Sequence, residues 1–313
     1  MSVIAPDHDE LALACRNWGR WGPDDELGTL NHVTQKTIRA ARDEICEGTA
    51  FSLSIDVGRS GPQTGGRRFN PVHTMTATGT DAAAGLQAEI RSTYADDLIF
   101  MPVHGATHWD GLGHVFYKGA MWNGYDCKLV GAMGALRNSI VRVKDKLVGR
   151  AVLVDLPRVM GVDALEPGCA IHPEDLDAAI AAQDVEMRPG DFLLVRTGQM
   201  GRCLRAGAWG DYAGGDAPGF ALDTAPWFKK VEVAAIATDT WGAEVRPNEI
   251  THIYQPWHQL VIPNLGLTVG EIFNLELLAE ACAADRRYTS FICAPALPIE
   301  GGVGSPCNPL VLR

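Results

Sequence analysis

Apolar runs of strand length alternate with helix-patterned segments through most of this chain, and that interleaving constrains the fold more than any other feature. Ala151–Leu156 (AVLVDL), Asp191–Thr197 (DFLLVRT), Val233–Thr238 (VAAIAT) and Thr289–Ala294 (TSFICA) are too continuously apolar to present a face to water. They read as strands buried on both sides. Helices are predicted at Pro173–Ala182, opened by proline in its first turn, near Pro256–Ile262, and at Asn274–Ala284. A further helix is expected over Thr34–Glu47, capped by Thr34, with Ile38 and Ile45 on one face and Gly48 ending it. Phe51–Val57 and Leu98–Val103 read as shorter strands. Two stretches, 58–85 and 198–220, are rich in glycine and read as long loops. A length of 313 residues alone suggests about two domains. No repeat and no linker interrupts the alternation, so the expectation is a single α/β domain over 1–313, with 1–33 as an N-terminal extension.

Charge and cysteine content narrow the partners. Lys and Arg number 27 against 38 Asp and Glu, a net charge of −11. That balance argues against nucleic acid or an anionic membrane, both of which call for a basic face. The eight cysteines form no C-x-x-C and no zinc-ribbon spacing, so they read as reduced, scattered apolar residues. The opening MSVIAPDHDE lacks the basic and apolar regions of a secretory signal. No apolar run reaches the ~18 residues that span a bilayer. The expected location is cytoplasmic. Gly301-Gly302-Val303-Gly304 cannot be a dinucleotide loop, because Pro306 and Pro309 prevent the helix such a loop must open. It reads as a tight surface turn.

The chemistry concentrates in His104-Gly105-Ala106-Thr107-His108-Trp109-Asp110-Gly111-Leu112-Gly113-His114. Three of the nine histidines lie in these eleven positions, where an even spread would put about 0.3. In an extended segment His108 and Asp110 point the same way. His104 lies one tight loop earlier, and the glycines let backbone close around an ion. Two imidazoles and a carboxylate make an open three-ligand set with room for water and substrate. His114 can sit beside it as a general acid or base. Trp109 is a candidate apolar wall for a substrate ring, with plain core packing as its alternative. His73, in the first long loop, is a further candidate near the site. His258 and Glu271 join the same site only if the fold returns them to it.

This stretch resembles the H-x-G-T-H-x-D-x-P-x-H signature of the metal-dependent cyclase family, which includes bacterial kynurenine formamidase, isatin hydrolase and trans-dienelactone hydrolase. Trp18–Asn31 (WGRWGPDDELGTLN) resembles the start of its longer members, His258 to Glu271 followed by Asn274-Leu275-Glu276-Leu277 its later His…Glu-x-L segment, and Gly301–Pro309 (GGVGSPCNP) its closing G-G-x-G-S-P-x-N-P. The resemblance implies a swivelling β/β/α fold in homodimers or homotetramers. It implies His104, His108 and Asp110 as metal ligands, His114 as catalytic acid/base, and His258 and Glu271 as ligands of a second metal or supports behind the first. Ala106 stands where the family has Gly, and Leu112 where it has Pro.

The expected activity is hydrolysis of an amide or ester bond in a small, cyclic or N-formyl substrate by metal-activated water. Nitrogen and oxygen donors without thiolate suit Mn(II) or Zn(II). N-formylkynurenine formamidase proper is an alternative within this class. A non-haem Fe(II) oxygenase, with His108, Asp110 and a distant histidine, is an alternative outside it.

Overall fold

The computed structural model describes residues 7–313; positions 1–6 of the segment read for a secretory signal lie outside the described residues. Nine strands form one mixed sheet. In chain order they are β1 (Ala50–Ser52), β2 (His108–Asp110), β3 (Val148–Asp155), β4 (Phe192–Arg196), β5 (Ala235–Thr238), β6 (Thr268–Glu271), β7 (Thr289–Cys293), β8 (Gly304–Pro306) and β9 (Leu310–Leu312). Their order across the sheet is β1-β9-β7-β3-β4-β5-β6-β2-β8. The middle four, β3 to β6, run parallel, and every pairing outside them is antiparallel.

The apolar runs explain themselves in this arrangement. Val152, Val154, Leu193, Val195, Ile236 and Val269 enter the core on one face of the sheet. Their neighbours Ala151, Leu153, Phe192, Leu194, Ala235 and Ala237 enter a second core on the other. A strand buried on both faces has no position for a polar residue, so alternation disappears from its sequence. Helices α1 (His8–Cys15), α2 (Gln35–Ala41), α3 (Pro173–Ala182), α4 (Gln199–Ala206), α5 (Thr224–Val231), α6 (Pro256–Leu260) and α7 (Glu276–Asp285) complete the layers. Leu176, Phe228 and Leu260 bring α3, α5 and α6 onto the first core; Leu278 and Cys282 bring α7 onto the second. Residues of the N-terminal segment are built in as well: Ala12 and Cys15 pack into the first core and Leu30 and Val33 into the second. All eight cysteines are free. Among the described residues no helix is long and apolar enough to cross a membrane.

α3 and its proline fall where expected. α2 starts at the Thr34 cap but ends at Ala41, six residues short, and Arg42–Glu44 tightens into a 3-10 turn. Glu44 turns instead to Arg150 and Thr289, at 3.0 and 2.6 Å. The strand expected over Phe51–Val57 shortens to β1. Asp96–Phe100 is a strand, but it pairs with Val72–Ala77 in a separate exposed hairpin, outside the central sheet. The 198–220 stretch contains α4, whose caps are Gly198 (φ +80°) and Gly207 (φ +65°). Glycine there ends a helix at both sides through its left-handed freedom, which composition alone reads as loop. The Gly301–Gly304 turn leads into β8, so Gly304 is buried in the sheet and not at the surface.

Candidate metal centre

β2 places the central residues. It lies between β6 and β8, with His108 opposite Glu271 and Pro306, and Asp110 opposite Val269 and Gly304. Residues directly opposite in a ladder share a face, so His108, Asp110 and Glu271 project together. The loop before β2 turns His104 back over them, and the loop after β2 brings His114. The rings of His104 and His114 stack at 4.2 Å, and His104 meets His108 edge-on at 5.0 Å.

All of these groups converge on one oxygen. Asp110 Oδ1 lies 3.3 Å from His104 Nε2, 3.3 Å from His108 Nε2 and 3.8 Å from His114 Nε2. Glu271 Oε2 lies 3.3 Å from His108 Nε2. Two sets of donors result, His104–Asp110–His114 and His108–Asp110–Glu271, each within 4.8 Å. Asp110 belongs to both.

The donors carry the mark of a cation site. His104 Nε2, His108 Nε2 and Asp110 Oδ1 are buried and make no hydrogen bond. His108 Nδ1 faces the Ala106 carbonyl at 2.8 Å. A carbonyl only accepts, so Nδ1 carries the proton and Nε2 of the neutral ring is a lone pair aimed at two carboxylates. Such a convergence is stable only around a proton or a metal ion. Burial disfavours charge on His108, yet Asp110 and Glu271 outweigh it and push this histidine up to about 9. Burial, followed by His114, holds His104 well below its ordinary value. Burial also lowers His114. Asp110 stays well below the usual carboxylate range because the three histidines outweigh its burial.

Behind this set stands a second layer. His258 donates from Nε2 to Glu271 Oε1 at 3.0 Å, and its Nδ1 pairs with Glu244. The Ala243 amide also donates to Glu271 Oε1, at 3.1 Å. Both ring nitrogens of His258 are thus engaged by carboxylates, and it presents no lone pair toward Asp110. The fold returns both Glu271 and His258 to the site, Glu271 among the converging donors and His258 behind it.

A model of the family described as "Putative cyclase" matches residues 30–245. This chain belongs to the cyclase family. A solved structure described as a novel cyclase is 36% identical to this cyclase, covers 96% of it and all of its own length, and superposes with a TM-score of 0.87. Isatin hydrolase A from Ralstonia solanacearum is 19% identical, with 88% and 94% of the two chains covered and a TM-score of 0.62. A structure described as a potential metal-dependent hydrolase with cyclase activity is 16% identical, with 84% and 98% covered and a TM-score of 0.52. The last two share the fold. No curated protein matches the chain.

Two expected site residues lie elsewhere in the cyclase. Trp109 is fully buried, packs edge-on against Phe273 at 5.0 Å and donates its indole N–H to Ala294 O at 2.9 Å. It is core on the face opposite Asp110, because a strand sends successive side chains to opposite sides. His73 sits on the exposed hairpin, where it pairs with Asp97 at 2.6 Å. The departures from the signature are accommodated. Ala106 is absent from the left-handed backbone positions, so the family glycine is not required there. Leu112 is 2% exposed and fills the first core.

Three residues at the site were invisible to spacing arguments. Glu244 follows the end of β5 and reaches His258 only through the fold. Gly304 lies so close to the cluster that a Cβ there would fall 2.1 Å from His104 Nε2. Arg68 comes from the long loop and reaches within 3.5 Å of His114 Nε2. A buried glutamate and a glycine in a strand carry no local sequence signal of their own.

Proposed function

We propose that this cyclase is a metal-dependent hydrolase that cleaves the amide or ester bond of a small cyclic or N-formyl substrate. The observation that carries the reading is the trio of orphaned atoms, His104 Nε2, His108 Nε2 and Asp110 Oδ1, packed against His114, which lines a cavity of about 540 Å³. His104, His108 and Asp110 would hold a divalent ion, Mn(II) or Zn(II), with Glu271 available to the same ion or a second. A divalent ion there supplies Lewis acidity, activating water and polarising a carbonyl.

The chain's own residues do the rest. His114 is the partly exposed member of the cluster, and burial favours its neutral ring. A neutral Nε2 beside Asp110 Oδ1, at 3.8 Å, can take a proton from attacking water and return it to the leaving group. Glu244 and His258 hold Glu271 in one orientation. Isatin hydrolases and a potential metal-dependent hydrolase share this fold, which supports hydrolysis. An Fe(II) oxygenase triad of His108, Asp110 and a distant histidine would leave His104 and His114 without roles, which favours the hydrolase over that alternative. Formylkynurenine is one substrate among the N-formyl class. Association into homodimers or homotetramers is part of the same proposal, supported by the exposed apolar hairpin bearing Val72, Met75, Leu98, Ile99 and Phe100.

The test is a screen of cyclic amides, lactones and formamides with metal content measured in parallel. Chelation is expected to abolish turnover and Mn(II) or Zn(II) to restore it; full activity in metal-free protein would overturn the reading.

A further inference from the structure

Arg68 is the arginine beside the metal cluster, and among the described residues its one hydrogen-bond partner is His114. Its guanidinium lies 3.5 Å from His114 Nε2 and 4.0 Å from Glu271 Oε2, with its side chain 22% exposed. Among the described residues no carboxylate or carbonyl oxygen accepts a hydrogen bond from it. An arginine has five N–H donors in a planar fork, and all but the one on His114 are left for a ligand or solvent in the cavity. The guanidinium is nonetheless held firmly. It lies over the Trp241 ring, 5.2 Å from the centroid, in a cation–π contact. Trp241 donates its indole N–H to Gln63 Oε1 at 3.1 Å, and Gln63 Nε2 donates to Gly105 O, also at 3.1 Å. Gln63 and Asn70 close the loop carrying Arg68 with two further hydrogen bonds, of 2.8 and 3.1 Å. The loop is therefore tied to the backbone beside His104, and the fork is fixed at the cavity wall.

The charge arithmetic points to an anion. Without an ion, Arg68 faces the Glu271 carboxylate at 4.0 Å. Were Glu271 engaged by a divalent ion in the cluster, the fixed guanidinium would be left without a counter-charge. We propose that Arg68 is a substrate-contacting residue that receives the carboxylate left by hydrolysis, its fork facing one carboxylate oxygen beside the metal cluster. This deepens the proposed function and rests on it: the favoured substrates are those whose cleaved carbonyl remains on the organic product as a carboxylate. Arg suits the role where Lys would not, because its planar, always-charged guanidinium stacks on Trp241 and so fixes the direction of its donors.

The experiment measures binding of benzoate and of its neutral isostere benzamide to Mn(II)-loaded protein by calorimetry, for wild type, Arg68→Gln and Arg68→Lys. Metal content is determined for each, and wild type is carried through the hydrolysis screen. Wild type is expected to prefer benzoate. Arg68→Gln should lose about tenfold or more in benzoate affinity with benzamide affinity and metal content unchanged, and Arg68→Lys should recover only part of the loss. Equal benzoate affinity in wild type and Arg68→Gln, or no preference for benzoate in wild type, overturns the proposal. Hydrolysis by wild type together with that result leaves the hydrolase reading standing without the clamp. Arg68-dependent benzoate binding in a protein that hydrolyses nothing overturns the hydrolase reading and keeps the anion site.

Discussion

His258 and Glu271 stand back to back with the metal centre: Glu271 takes a hydrogen bond from His258 on Oε1 at 3.0 Å and turns Oε2 to His108 at 3.3 Å. One carboxylate thereby joins the converging donors to a buried support that ends at Glu244. Supports of this kind fix ligand orientation and charge, and their loss typically weakens metal affinity about 10- to 100-fold.

Glu244→Gln should keep the fold and lower metal affinity by that factor. Competition against a chromogenic chelator measures it. An unchanged dissociation constant would remove Glu244 from any role behind the cluster.

The metal-free protein should lose stability as pH rises. His258 is pushed up to about 10, since Glu244 and Glu271 outweigh the burial that opposes its charge. The unfolded value is about 6.5. Between the two the folded state keeps a proton that the unfolded state has lost, so unfolding free energy falls with pH. The contribution is complete below about pH 6.5 and gone above about pH 10. Urea unfolding across that range should show the decline, and Glu244→Gln should flatten it. A pH-independent midpoint in the metal-free wild type would contradict the assignment.

His114→Ala should retain metal and lose turnover by about 10²- to 10⁴-fold, the usual contribution of a positioned acid or base. Wild-type rates in this variant would exclude proton transfer at Nε2. Loss of bound metal along with activity would make His114 a ligand.

Gly304→Ala should disrupt the centre without removing a polar group. Its Cβ would fall 2.1 Å from His104 Nε2, so the ring must leave its place. Metal content measured on the folded variant should fall. Full occupancy would mean that His104 is dispensable for binding.

Phe100→Asp should break self-association. Phe100 is 66% exposed on the hairpin with Leu98 and Ile99 beside it, a surface that monomers seldom leave open. Light scattering after size exclusion should show a smaller species than wild type. Identical masses would place any interface elsewhere.

Much of this protein follows from local rules. The parallel core strands β3, β4 and β5 were legible as apolar runs, because burial on both faces leaves no other composition. α3 was legible from Pro173, whose fixed φ and missing N–H suit a first turn. The shared direction of His108 and Asp110 followed from the two-residue period of a strand, and the same period puts Trp109 on the far side, in the core. Tertiary structure decided the remainder. Glu271 meets His108 through an antiparallel register between strands separated by more than 150 residues, and a register is set by packing across the sheet. Glu244, Gly304 and Arg68 reach the site from three separate segments, each by a close approach that no spacing encodes. The sequence by itself determined which side chains β2 offers to one face; the packing of β6, β8 and the 63–70 loop around that strand decided what they meet.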